Sequence, residues 1–323
     1  MEFFLPFLLL FVGLVILIIG GESLVRGASS LARLFGISPL VVGLTVVAFG
    51  TSAPELIVNI FAAANGNTDI AIGNILGSNI SNIFLILGCA GLVYPLAVKS
   101  NTVWKEIPFA FLGVALIFLF GNDTLLEGRG FNEISRSDGI ALISLFILFM
   151  YYVWGLSTSG KNESTENEEI KIYSTPVSLS FILAGLVGLF LGGQLFVSQS
   201  VIIAQLFGLS EALIGLTIVA IGTSLPELVT SVIAALRKEA DIAVGNVVGS
   251  NIFNVFWILG ISSIIRPLPL NPDMNIDIGM TALATIFLFA IFFIGKKHVL
   301  ERWQAGIFVG IYIAYIIFLV CRG

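Results

Sequence analysis

LARLFGISPLVVGLTVVAFGTSAPEL, residues 31–56, returns 172 residues later as IAQLFGLSEALIGLTIVAIGTSLPEL, residues 203–228. The same offset lays DIAIGNILGSNISNIFLILG (69–88) over DIAVGNVVGSNIFNVFWILG (241–260). From Ala32 to Leu96, 34 of 65 positions match their mates without a gap. Shared hydrophobicity does not account for this, because Gly, Thr, Ser, Pro, Glu and Asn are among the identities. The chain is an internal duplication.

Around that repeat, 57% of the 323 residues are hydrophobic and 11% charged, with a mean hydropathy of +1.05. A soluble domain carries about a quarter charged residues, so this composition excludes a water-soluble enzyme, a nucleic-acid binder and a secreted module. The apolar runs are continuous rather than alternating, which excludes an outer-membrane barrel. They fall at about 3–21 (continuing amphipathically to 35), 38–64, 70–93, 104–121, 137–157, 177–206, 212–236, 242–265, 275–295 and 303–320. At about 20 residues per crossing, these make ten transmembrane helices. Glu2 stands where a signal peptide carries positive charge, and the first run has no cleavage signal, so it reads as the first membrane helix.

Each half then holds five helices. An odd number turns the second copy upside down relative to the first. The expected fold is an all-α membrane protein of ten transmembrane helices in two inverted five-helix repeats, with broken helices at the core. The first repeat is expected at 1–157 and the second at 176–323. The polar stretch 158–175, STSGKNESTENEEIKIYS, has the composition of a solvated linker. Inverted repeats of this kind place a substrate site at the middle of the membrane, between the copies.

Orientation follows from Lys and Arg. With both termini outside, the inner loops collect Arg26, Arg33, Lys99, Lys105, Lys161, Lys171, Arg237, Lys238, Lys296, Lys297 and Arg302, and the outer segments only Arg129, Arg136, Arg266 and Arg322. The positive-inside bias selects that arrangement and puts 158–175 in the cytoplasm.

The most faithfully repeated positions are polar or helix-breaking ones inside apolar runs: Gly50 to Glu55 (GTSAPE) with Gly222 to Glu227 (GTSLPE), and Gly73 to Asn82 with Gly245 to Asn254. A carboxylate at the bilayer centre is costly unless it faces a cavity or a partner. Glu55 and Glu227 occupy equivalent places, so inversion brings them together near the pseudo-two-fold axis. Their repulsion is relieved by a bound cation or by a proton. Glu22, near the end of the first helix and facing Gln194 in the repeat, is a weaker candidate.

The neighbours suit a hard cation. Pro54 and Pro226 lack an N–H and clash with the carbonyl four residues back, which frees carbonyls around Gly50 and Gly222. Such a break is tolerated at membrane depth only where it lines a cavity. Thr51 and Ser52 lie four and three residues before Glu55, on one helical face. Ser78 with Asn82, and Ser250 with Asn254, repeat the four-residue spacing. Together these are all-oxygen donors, which fit Ca²⁺ or Na⁺ and not zinc or copper. Cys89, Cys321 and the single histidine, His298, form no metal pattern. Gly73, Gly77, Gly245 and Gly249 allow the third helix to pack closely on the second. Gly13, Gly20, Gly21 and their mates Gly185, Gly192 and Gly193 are expected to let the first and sixth helices slide over the core.

Structural readings compete with these. Ser52-Ala-Pro-Glu55 and Ser224-Leu-Pro-Glu227 match the Ser-x-x-Glu capping box, in which both side chains bind backbone donors. Ser78, Ser250, Asn82 and Asn254 could serve as interhelical hydrogen bonds, and for Asn79 and Asn251, which point off that face, this is the preferred role.

With these residues in view, the sequence resembles the cation/calcium antiporter superfamily, and within it the prokaryotic sodium/calcium exchangers. GTSAPE with GSNISN resembles the first of that family's two alpha-repeats, and GTSLPE with GSNIFN the second. The resemblance implies a Ca²⁺ site formed by Glu55, Glu227, Thr51 and Thr223. It implies Na⁺ sites around it from Ser52, Ser224, Ser78, Ser250 and the carbonyls of Ala48 and Ala220, with Asn82 and Asn254 completing the centre. Some relatives, including the potassium-dependent exchangers, carry Asp at the position of Asn254, so Asn there argues against K⁺ use. Proton-coupled relatives tend to have Asn-Ala where this chain has Thr-Ser before the glutamate, so GTSxPE leans toward Na⁺. The expected activity is Na⁺/Ca²⁺ antiport with no enzymatic step, no cofactor, no nucleic acid and no obligatory protein partner. A Ca²⁺/H⁺ exchanger is the alternative, followed by a cation channel; an intramembrane protease is remote, since the paired acids are Glu.

Overall fold

The computed structural model describes residues 4–126, 128, 130–159, 172–207 and 222–322. Among them, eight helices are long and apolar enough to cross a membrane. A ninth crossing is broken: α2 (Pro39–Thr51) and α3 (Ala53–Asn65) meet at a bend of 48°. The bend falls at Ser52, whose φ of −83° and ψ of 7° leave the helical region just ahead of Pro54. The matching helix of the second half is described from α8 (Leu225–Leu236) onward. Ser224 there has nearly the same backbone angles, φ −87° and ψ 5°. In both repeats the serine two residues before the proline leaves the helical region, where the proline's missing N–H removes a helical bond.

The remaining elements pair off in order, by the 172-residue offset through α4 and α9 and by a slightly shorter one at α6 and α11. Helix α1 (Phe4–Phe35) corresponds to α7 (Thr175–Leu206), each of 32 residues. Helix α4 (Thr68–Val93) corresponds to α9 (Ala240–Ile265). Helices α5 (Thr102–Gly121) and α6 (Arg136–Ser159) correspond to α10 (Asn275–Ile291) and α11 (Arg302–Arg322).

The inversion is visible in α1 and α7. Gly13 meets Gly192 and Phe196, Gly20 meets Gly185 and Leu189, and Gly27 meets Ser178 and Ile182. Rising numbers on one helix meet falling numbers on the other, so equivalent helices run antiparallel. A Cβ added at Gly20 would lie 2.7 Å from the Leu189 backbone nitrogen, so the two backbones touch, as small residues permit in membranes. These glycines join α1 to α7. Only Gly21 turns toward the core, against Val229 and Ile233 of α8.

Two ribbons close the opposite faces. β1 (Leu96–Ala97) pairs antiparallel with β4 (Val299–Leu300), and β2 (Glu133–Ile134) with β3 (Leu268–Pro269). Each joins a loop of one repeat to a loop of the other. β3 is β1 displaced by 172 residues, so the ribbons are themselves related by the inversion. A second matched pair ties helices within each repeat: Tyr152 donates to Glu106, and Tyr315 donates to Asp277 at 2.9 Å.

Helices α4 and α9 are the most enclosed spans and cross at the centre. Gly245 and Gly249 of α9 rest on Leu40, Leu44 and Ala48 of α2. The close packing expected of the third helix is therefore made with the second helix of the other repeat. Cys89 and Cys321 are free thiols.

Candidate functional site

Ser52 and Ser224 stand where N-caps belong, yet neither side chain bonds a backbone N–H. Ser52 Oγ donates instead to Glu227 Oε1 at 3.0 Å, across the axis into the other repeat. The capping-box reading is therefore not realised. The two glutamates are each 1% exposed and close enough to repel one another. Glu55 has the side chains of Thr223 and Ser224 beside it, and Glu227 has those of Thr51, Ser52 and Ser250. Each carboxylate thus faces the Thr-Ser pair of the opposite repeat.

The third helices supply the rest. Ser224 Oγ lies 3.5 Å from Ser78 Oγ, again across the axis. Asn82 Nδ2 donates to Asn251 Oδ1 at 2.9 Å, and Asn254 Nδ2 donates to Asn79 Oδ1 at 3.0 Å. Asn79 and Asn251 further donate to each other's carbonyls at 3.5 Å, the interhelical role expected of them. This asparagine square holds α4 against α9 and leaves the oxygens of Asn82 and Asn254 unused.

Those unused oxygens define the chemistry. Buried without a hydrogen-bond partner are both oxygens of Glu55, Oε2 of Glu227, the hydroxyls of Thr223 and Ser250, and Oδ1 of Asn82 and Asn254. A buried acceptor left unpaired costs about 1–3 kcal/mol, more when charged, and a cation among them removes that cost for several at once. The set is all oxygen and holds two carboxylates. An all-oxygen donor set suits a hard cation rather than a soft or borderline transition metal.

Of the residues expected from the sequence, the structure brings together Glu55, Glu227, Thr51, Thr223, Ser52, Ser224, Ser78, Ser250, Asn82 and Asn254. The Ala48 carbonyl, one turn before the break, accepts the Ser52 N–H at 3.0 Å and lies 3.4 Å from the Thr51 hydroxyl. Ala220 lies outside the described residues, as does 160–171 of the linker. Glu22 is not part of the centre: Arg26 and Arg237 hold it in the latter half of α1.

One residue went unassigned in the sequence reading. Asn246 accepts from Thr51 Oγ1 at 3.0 Å and donates to Ser231 Oγ at 3.0 Å and to the Glu227 carbonyl at 3.4 Å. It braces the break that carries Glu227. Its signal was present, since Asn246 and its mate Asn74 are an identical pair directly after the repeated glycines.

A cavity of about 360 Å³ reaches the site from the side of α7, lined by Pro54, Ile57, Gln194, Val197, Thr223 and Pro226 among others.

Each repeat thus presents a buried glutamate, one residue after a proline, to the other. Residues 5–155 and 177–321 match the family described as Sodium/calcium exchanger protein. The chain belongs to this family. It is a family of transporters, not enzymes. The chain is 32% identical to the sodium/calcium exchanger MaX1 of Methanosarcina acetivorans, covering 97% of this chain and 98% of that protein. It is 38% identical to the inner membrane protein YrbG of Escherichia coli, covering 82% and 81%. Its fold superposes on the sodium-calcium exchanger NCX_Mj, in a crystal soaked with Na⁺, with a TM-score of 0.82, 34% identity and coverage of 98% and 99%. Crystals of NCX_Mj soaked with Sr²⁺ match equally well, with a TM-score of 0.81. The family assignment accords with the all-oxygen centre and with the ten-helix inverted plan.

Proposed function

We propose that this exchanger-family member is an electrogenic Na⁺/Ca²⁺ antiporter working by alternating access. The observation that carries the reading is the pair of buried glutamates, Glu55 and Glu227, surrounded by unpartnered neutral oxygens. Two carboxylates neutralise one Ca²⁺, whereas three Na⁺ in the same cavity leave a net positive site, so a three-for-one exchange moves charge. Thr51 and Thr223 join the glutamates around Ca²⁺. Ser52, Ser224, Ser78, Ser250 and the carbonyls of Ala48 and Ala220 supply Na⁺ ligands, and Asn82 and Asn254 complete the centre. Asn254, neutral where an acid accompanies K⁺ use, supports K⁺ independence.

The backbone contact of α1 with α7 supports a pair that moves as one body over the remaining helices. With Lys and Arg placed inward, the linker 158–175 between the repeats 1–157 and 176–323 faces the cytoplasm of a prokaryotic cell, and inward Na⁺ flow expels Ca²⁺.

The deciding experiment is radioactive Ca²⁺ uptake into proteoliposomes loaded with Na⁺ and diluted into Na⁺-free buffer. Uptake that needs internal Na⁺ and responds to a valinomycin-set potential is the expected result. Uptake driven by a pH gradient without Na⁺ would replace this reading with Ca²⁺/H⁺ exchange, the glutamates then carrying protons. Flux with no counter-ion at all would indicate a channel.

A further inference from the structure

Alternating access demands that the α1·α7 pair be held against the core at one face while it parts from the core at the other. The structure shows both conditions at once. At the face shared by the end of α8 and the latter half of α1, Arg237 Nε donates to Glu22 Oε2 at 2.8 Å, and a second guanidinium nitrogen bonds Glu22 Oε1. Arg26, one turn along α1, adds a bond to Oε1 at 2.9 Å. Arg237 directly follows the last turn of α8, where the helix dipole favours a cation. The two-pronged geometry is the stronger form of carboxylate–guanidinium pairing.

The inversion gives each of these residues a mate at the opposite face. Glu22 corresponds to Gln194 of α7, and Arg237 to Asn65, the last residue of α3. Gln194 lines the 360 Å³ cavity, and both it and Asn65 are exposed with no hydrogen bond between them. In an inverted-repeat carrier, the two access states arise when the repeats exchange conformations about a fixed site. Applied here, the exchange separates Glu22 from Arg237 and brings Gln194 to Asn65.

Resting on the alternating-access reading above, we propose that Glu22–Arg237 is an ionic latch between the α1·α7 pair and the core, and that Gln194 and Asn65 form its uncharged counterpart at the other face. The two closures are unequal, because a charge-assisted fork is stronger than an amide pair. The chain therefore rests open toward the side of Gln194. The duplicated helices confer two states, and this one unmatched pair sets the balance between them.

The test uses the full chain in proteoliposomes with Cys89→Ser, Cys321→Ser and Val197→Cys, the last placing a thiol in the cavity. A membrane-impermeant maleimide is applied from the Gln194 side. Glu22→Gln with Arg237→Asn, which makes the latch chemically equal to its counterpart, is expected to slow labelling at least threefold. Gln194→Glu with Asn65→Arg, which gives the counterpart the latch's chemistry in an otherwise native chain, is expected to slow it in the same direction. Unchanged labelling in both double variants overturns the proposal. Ca²⁺ flux measured on the parent Cys variant separates the two ideas: flux with labelling indifferent to the latch removes only the latch, whereas absent flux removes the exchange reading beneath it.

Discussion

The two repeats carry the same hexapeptide pattern, GTSxPE, yet their glutamates sit in unequal company. Glu227 receives the Ser52 hydroxyl, and the backbone at its break is braced by Asn246, which links Thr51 to Ser231. Glu55 has no bond to either carboxylate oxygen, and its counterpart bracing is absent: Asn74 Nδ2, Asn59 Oδ1 and Thr223 Oγ1 are all unpartnered. The cause lies outside the motif. Where the second repeat has Ser231, the first has Asn59, long enough to donate to the Glu55 carbonyl itself at 2.9 Å. In the second repeat Asn246 reaches the equivalent carbonyl. With that acceptor taken in the first repeat, Asn74 is left over. One residue outside an identical motif thus leaves one half of the site braced and the other with unpartnered donors and acceptors.

The hardest blow to the comparison falls on the carboxylates. Glu55→Gln and Glu227→Gln should each reduce Na⁺-driven Ca²⁺ uptake by about 100-fold or more, since either change leaves one charge to hold a divalent ion. Size-exclusion profiles in detergent should be unchanged. Wild-type uptake in either variant would remove that glutamate from the site.

Smaller and unequal effects are expected one shell out. Asn246→Ala loses bonds to Thr51 and Ser231, each worth about 0.5–1.5 kcal/mol, and should raise the Ca²⁺ KM roughly tenfold. Asn74→Ala should change it by no more than about twofold, because its amide nitrogen has no partner to lose. Equal effects would mean that the bracing is not asymmetric. Asn59→Ser sharpens the point: in that background Asn74 regains the Glu55 carbonyl, so Asn74→Ala should become as costly as Asn246→Ala.

The smallest effect concerns the loops before the third helices. Glu239, 7% exposed, stands where the first repeat has the exposed Asn67. Burial pushes its carboxyl above the ordinary carboxylate value. The folded chain therefore holds this proton more tightly than the unfolded chain does. Its stabilising contribution is complete below the unfolded value and is lost as pH rises through the folded one. Glu239→Gln should raise the melting temperature by a few degrees at pH 8, with the gain shrinking toward pH 4. A gain that grows on acidification would reverse the assignment.

Much of this was legible in the sequence. The ungapped repeat and an odd helix count sufficed for the inverted plan, and Glu55 and Glu227 stood out as acids in the middle of apolar runs. What the sequence could not show was partnership. A 172-residue period says which positions are equivalent, not which ones touch, and here the contacts cross the axis. Ser52 therefore looked like a cap for its own helix, although its hydroxyl belongs to Glu227. Gly245 and Gly249 announced close packing without saying that α2 of the other repeat receives them. The glycines of α1 and α7 suggested helices that slide over the core, and their antiparallel meeting shows that they also join those helices to each other. Asn246 was invisible as a brace because Asn74, the same residue in the same motif, performs no such task.

The ribbons carry a consequence for descent. Each pins a loop of one half to a loop of the other, on opposite sides of the membrane, and each glutamate is finished by hydroxyls from the facing half. A solitary five-helix chain would have had an incomplete site and unpaired strand edges at both surfaces. The unduplicated ancestor could work only by inserting in both orientations and meeting its own inverted copy. Positions such as 59/231 and 65/237 are where the two halves differ.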